Sequence, residues 1–205
     1  FEVIKQEVNP FDFELTTSPE ADYDELQRVE FSAHHEPFLR KTHFTTLPQQ
    51  HDSIYRFDET QSIFENLKAL NRWVFDYLHF KTGVTDVNTK LEEIIEKRHG
   101  VCQDFTHLFC AVCKIHKIPA RYVSGYLDQG GGYFGDSQLH AWGEAYVPGA
   151  GWLGFDPTNN ILASSSHIKV AHGKDYNDCS PLRGVVYGKG TNQTTHLVEV
   201  LSSQQ

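Results

Sequence analysis

Apolar residues recur at Ile63, Leu67, Leu70, Val74 and Leu78, one face of a 3.6-residue period, directly after Ser62-x-x-Glu65. A serine followed three residues later by glutamate can exchange hydrogen bonds with the backbone at a helix start, so the spacing predicts a helix over 63–79. Thr89-x-x-Glu92 repeats the signal before Leu91, Ile94 and Ile95, which predicts a shorter helix stopped by Gly100. A third stripe, Phe105, Leu108, Phe109, Val112 and Ile115, begins at Cys102 and ends before Pro119. Beyond it the period changes. Short β-rich runs over 120–127, 140–147, 152–155, 184–187 and 196–201 alternate with glycine and proline, and the turn at 148–151 folds 140–147 and 151–157 into an antiparallel hairpin. Helices followed by an antiparallel sheet define an α+β domain over 61–205. The first 60 residues read as a strand over 1–8 and a linker marked by Pro10 and Pro19.

Composition narrows the function classes. At 205 residues with 39% hydrophobic and 13% aromatic content, the chain can bury a substantial core. A formal net charge of -9 with no compact Lys/Arg run argues against a nucleic-acid partner. No apolar run approaches the ~20 residues that span a bilayer. The chain starts at Phe1 and has no Met, so its natural start is expected outside it, where a leader would go unseen; cytoplasm is the default expectation.

Four cysteines, Cys102, Cys110, Cys113 and Cys179, are too unevenly spaced for a disulfide framework or a zinc finger, and reduced thiols are expected. Cys110-x-x-Cys113 lies inside the third helix rather than after a strand, so it reads as core packing. His34, His35, His43 and His51 share no period and read as solvated positions; no metal and no cofactor are called for. No D-x-D-x-D-G loop for calcium is present.

Cys102 differs from the other thiols in opening a helix, where the positive end of the dipole and the unpaired first-turn amides favour thiolate and can hold an oxyanion. Gly100 just before it permits close backbone approach. Read alone, Cys102 is equally a buried helix residue. A nucleophilic cysteine needs a base, and His140 begins a strand after the glycine-rich loop 130–135; the hairpin then brings Asp156 to the same end, placed to orient the imidazole. Read singly, His140 is a strand histidine and Asp156 a turn residue before Pro157; together with a helix-start cysteine they form a triad in the order Cys, His, Asp. His99, His107 and His116 are rival bases with no carboxylate placed to orient them.

The segments Gly100-Val101-Cys102-Gln103-Asp104-Phe105, 118–126, His140-Ala141-Trp142-x-Glu144 and Gly151-Trp152-x-x-Phe155-Asp156-Pro157-Thr158 resemble the bacterial transglutaminase-like superfamily, in particular its candidate cysteine proteases. The resemblance covers about residues 60–190 and includes Asp175-Tyr176-x-Asp178-x-x-Pro181-x-Arg183-Gly184. It implies a papain-like core with Cys102 as nucleophile, His140 as base and Asp156 as orienting acid, acting on a peptide or protein substrate, and a β-rich domain ahead of that core, of which residues 1–60 would be the cut-short end. Gln103 and Asp104 are motif positions given supporting roles, Trp142 and Trp152 are expected to wall the site, and Tyr77 is a candidate second oxyanion donor beside the Cys102 amide. The thioester formed on Cys102 passes to water, the preferred expectation, or to an amine; a non-catalytic binding module is the alternative from another class.

Overall fold

The computed structural model describes residues 18–128, 133–134, 138–181, 184 and 187–188. In chain order these form α1 (Pro19–Gln27), α2 (Val29–Leu39), a 3-10 turn (Gln49–His51), α3 (Ile63–Tyr77), β1 (His79–Phe80), α4 (Leu91–Lys97), β2 (His99–Gly100), α5 (Cys102–Ile115), β3 (Ala120–Leu127), β4 (Leu139–Val147), β5 (Gly151–Asp156), β6 (Ile161–Leu162), β7 (His167–Gly173) and α6 (Tyr176–Cys179). The fold is α+β: an antiparallel five-stranded sheet, ordered β6-β5-β4-β3-β7, packs against α5, while β1 and β2 pair in parallel beside the start of that helix. Among the described residues, no helix is long and apolar enough to cross a membrane.

Helix α3 follows the periodic reading. Ser62 Oγ accepts the Glu65 N–H at 3.2 Å, and Ile63, Leu67, Leu70 and Val74 are fully buried. Helix α5 departs from a one-sided stripe: all of residues 103–114 are buried, because α3, α4, β3 and β4 surround it. A helix enclosed on all sides must carry its polar residues in satisfied or specialised positions.

Three expectations are corrected. The second capping box is absent: Thr89 turns back to Asp86, whose N–H it accepts at 2.9 Å, and α4 starts one residue later with Lys90 as its cap. The helix stop is Arg98 in the left-handed region (φ 53°), not Gly100, which belongs to β2. Residues 18–60 are not a linker but a helical hairpin followed by a turn. Pro19, read as a breaker, occupies the first helical position, where a missing N–H is harmless, and Ser18 caps it by accepting the Ala21 N–H at 3.3 Å. Of the predicted strand 184–187 only the two ends are described, neither in a strand; the predicted strands 1–8 and 196–201 lie outside the described residues.

The β4–β5 hairpin has the register Gly143↔Phe155 through Val147↔Gly151. Gly143 and Phe155 face α5, where Phe155 stacks on Phe109 with ring centroids 5.4 Å apart. A Cβ on Gly143 would lie 2.6 Å from Phe109 Cδ1, so glycine lets the helix settle on the strand. This seam fixes the height of α5 against the sheet, and with it the position of Cys102.

Candidate active site

Cys102 is the first residue of α5 and is partly exposed, whereas Cys110, Cys113 and Cys179 are buried. Burial pushes Cys110 and Cys179 up to about 12 and Cys113 well above the ordinary thiol range, which keeps these three protonated. Cys102 packs against the cluster of Tyr122, Ala141 and Cys179, and its side chain is close enough to His140 to act on the imidazole. Its carbonyl accepts the Thr106 hydroxyl at 2.8 Å.

The turn before Cys102 is held by Asp104. Its Oδ2 accepts the Val101 N–H at 2.8 Å and the Thr85 hydroxyl at 2.7 Å. A Cβ on Gly100 would collide with the Asp104 side chain, so glycine here serves the close approach of that carboxylate. Asp104 is fully buried and its Oδ1 has no hydrogen-bond partner among the described residues; burial raises its pKa to about 6 against the two bonds at Oδ2. Gln103 is buried beside it in the first turn.

His140 and Asp156 come together through the hairpin. Asp156 follows Phe155, the partner of Gly143, and so lies diagonal to His140 across the two strands, within reach of a long side chain. His140 Nε2 is 2.7 Å from Asp156 Oδ2, with both side chains fully buried. Nδ1 is buried and has no hydrogen-bond partner among the described residues, which leaves it for the Cys102 sulfur. Burial alone would lower the imidazole's pKa; the hydrogen bond and charge of Asp156, followed by the neighbouring Cys102 side chain, outweigh it and raise the pKa. Burial would likewise raise Asp156, but the His140 charge and its hydrogen bonds hold it below the usual carboxylate range.

Asp156 is heavily coordinated. Oδ1 accepts the Thr158 and Asn159 backbone N–H groups at 3.0 and 3.3 Å, and Oδ2 accepts His140, the Asn159 amide at 2.8 Å and His167 Nε2 at 3.3 Å. Asn159 also clasps the Phe134 backbone through both of its amide atoms. Neither Asn159 nor His167 was legible as part of a site. Asn159 reads as a turn residue, and His167 opens an edge strand far along the chain. His140, Asp156 and His167 present ligand-type atoms within 4.8 Å of one another, but the 2.7 Å approach of His140 to Asp156 is a hydrogen-bond distance. Two zinc ligands at ~2.0–2.2 Å in tetrahedral array stand farther apart.

The other sequence candidates fall out as follows. Trp142 belongs to the site, with its ring 6.3 Å from His140 and edge-on to His167 at 5.0 Å. Trp152 does not wall it. It lies farther along the hairpin, under the Arg121 guanidinium at 4.1 Å and against Phe38 of α2. The Tyr77 hydroxyl donates to the Ile95 carbonyl at 3.4 Å and its ring stacks on Trp73, so its proton is directed into α4 rather than toward the Cys102 amide. Of the rival bases, His107 accepts the Tyr176 N–H at 3.2 Å and is pushed down to about 3 by burial and Lys114, and His116 is stacked on Phe57 with Nε2 at the Tyr55 carbonyl. His99 belongs to β2. His35, read as solvated, is buried, with Nδ1 at the Phe31 carbonyl and its ring 4.7 Å from Tyr146.

A cysteine opening a buried helix, facing a histidine–aspartate pair on an antiparallel hairpin, is the arrangement of papain-like α+β proteins. The family model of the transglutaminase-like superfamily matches residues 50–157, and the chain belongs to that superfamily. It is 37% identical over 136 residues to the uncharacterized protein ML0607 of Mycobacterium leprae, covering 64% of this chain and 48% of that protein. It is 32% identical over 101 residues to a protein-glutamine gamma-glutamyltransferase of Pseudomonas aeruginosa, covering 46% of this chain and 15% of that protein. The crystal structure of a protein from Cytophaga hutchinsonii, named as a candidate cysteine protease, superposes with a TM-score of 0.64 at 28% identity, covering 77% of this chain and 54% of that one. The chain thus spans about half the length of relatives such as these first and last.

Proposed function

We propose that this chain catalyses cysteine-dependent acyl transfer from a peptide or carboxamide, with Cys102 as nucleophile, His140 as proton carrier and Asp156 as its orienting carboxylate. One observation carries the reading: His140 is tied through Nε2 to Asp156 while its buried Nδ1 is left for Cys102. The raised pKa keeps His140 as an imidazolium beside the Cys102 sulfur. The sulfur attacks the substrate carbonyl carbon, forming the S–C bond as the carbonyl electrons move to oxygen. The oxyanion is stabilised by N–H groups that open α5, those of Cys102 and Gln103, ahead of the Asp104 N–H, which is already given to the Val101 carbonyl at 2.8 Å. Collapse breaks the C–N bond, Nδ1–H protonates the leaving amine, and a thioester remains on Cys102.

Water then attacks the thioester, with His140 taking its proton, and releases a carboxylic acid. Hydrolysis is the favoured outcome, supported by the name of the Cytophaga hutchinsonii protein. Transamidation, in which a second amine takes the acyl group, is the reading favoured by the similarity to the Pseudomonas aeruginosa gamma-glutamyltransferase.

The test is alkylation by iodoacetamide at pH 6 with peptide mapping. Cys102 is expected to react faster than the thiol of glutathione; a rate at or below it would end the acyl-transfer reading. Incubation with a glutamine-containing peptide library, with and without millimolar primary amine, then separates the acceptors. Carboxylate product dominating in both samples supports hydrolysis, whereas dominant amine incorporation moves the assignment to transamidation. Cys102→Ala is expected to abolish either product.

A further inference from the structure

We propose that His167 is a positioning residue of this site, a neutral N–H donor that fixes Asp156 Oδ2 for His140 without competing with the charge of the imidazolium. The proposal rests on the acyl-transfer reading above and extends the triad by one residue. His167 opens β7, paired with Leu127 at the end of β3, and is buried at 3% exposure. Its Nε2 lies 3.3 Å from Asp156 Oδ2, the oxygen that also accepts from His140.

The other ring nitrogen fixes the tautomer. Nδ1 accepts the Ser164 backbone N–H at 3.4 Å and faces Ser166 Oγ at 3.5 Å. A backbone N–H only donates, so Nδ1 carries a lone pair and the proton resides on Nε2, directed at the carboxylate. Trp142, edge-on to the ring at 5.0 Å, closes its side.

The chemistry explains why a neutral donor suits this place. His140 is useful only while Asp156 keeps both its position and its negative charge, because that charge offsets the burial of the imidazolium. A lysine or arginine at the same oxygen would hold the carboxylate but would repel the imidazolium. An apolar residue would leave the Asn159 amide, whose second N–H is given to the Phe134 carbonyl, as the one side chain besides His140 that donates to Oδ2 among the described residues. A neutral imidazole supplies the hydrogen bond and leaves the ion pair intact.

The experiment uses the full chain labelled with 15N-histidine, together with His167→Gln, which can place an amide N–H near Nε2, and His167→Leu, which cannot. Long-range 1H–15N correlation spectra at pH 7 are expected to show His167 as the neutral Nε2–H tautomer; the Nδ1–H tautomer overturns the proposal. Cys102 alkylation by iodoacetamide is expected to slow about 10- to 100-fold in His167→Leu, the size typical of outer-shell partners of a reactive group. It should stay within about threefold of wild type in His167→Gln. Wild-type rates in His167→Leu, or equal losses in both variants, overturn the positioning role. Should His167→Leu not fold, the tautomer and the glutamine variant still decide. Slow alkylation of wild-type Cys102 itself would instead end the acyl-transfer reading, and the tautomer spectrum is independent of it.

Discussion

At the residue scale, Asp104 shows how a buried carboxylate can serve a helix start while opposing stability. Two hydrogen bonds reach Oδ2, yet Oδ1 has none among the described residues, and burial lifts the pKa to about 6. A carboxyl whose folded pKa lies above its unfolded value, ~3.9, binds more protons folded than unfolded. Its contribution is therefore present below about pH 4 and is lost as pH rises through about 6. Asp104→Asn retains an acceptor for the Val101 N–H and removes the titration. Urea unfolding of wild type and variant at pH 4 and pH 7.5 should show the difference moving in the variant's favour by up to about 3 kcal/mol as pH rises. A pH-independent difference would mean that the ionised form carries no burial penalty. The motif had marked Asp104 as a supporting residue; its titration was not legible, because the enclosure of α5 on every side is a tertiary fact.

At the element scale, the seam between α5 and the β4–β5 hairpin decides where Cys102 meets His140. Gly143 allows Phe109 of α5 to lie against the strand, and an added methyl group would approach that ring to 2.6 Å. Gly143→Ala is expected to destabilise the fold by about 1–3 kcal/mol, the usual penalty of overpacking, read as a lower urea midpoint at unchanged m. A midpoint equal to or above wild type would show that the seam has room. The hairpin was legible because its alternation and its Pro148–Gly151 turn lie in one short stretch. Edge strand β7 was not. Its Lys169 and Val170 are partly or largely exposed, and its partner β3 lies across intervening elements, with a register shift at Ser124/Gly125.

At the scale of the whole molecule, the first helices are part of the core. Leu26 and Leu47 join its buried cluster, and the fully buried Asp22 accepts the Ile63 N–H at 3.1 Å, satisfying a donor of the first turn of α3 that has no intrahelical partner. Asp22→Ala leaves that buried N–H without its acceptor and should lower stability by about 1–3 kcal/mol, while Asp22→Asn, which keeps an acceptor oxygen, should lose less. Equal stability of all three proteins in thermal or urea unfolding would detach α1 from the core's support. These helices were hidden because their short, mixed apolar pattern carries two prolines: Pro19, harmless at a helix start, and Pro37, which α2 carries inside the helix two residues before its end at the loss of a backbone hydrogen bond. The sequence by itself determined the periodic helices α3 and α5, the β4–β5 hairpin and the candidates Cys102, His140 and Asp156, since helix period, turn chemistry and motif spacing are written in contiguous residues. Only the tertiary structure decided which ring nitrogen faces Asp156, that Tyr77 and Trp152 stand apart, and that His167 and Asn159 close around the carboxylate. Those relations depend on how a five-stranded sheet brings distant segments together, and no local pattern encodes that distance.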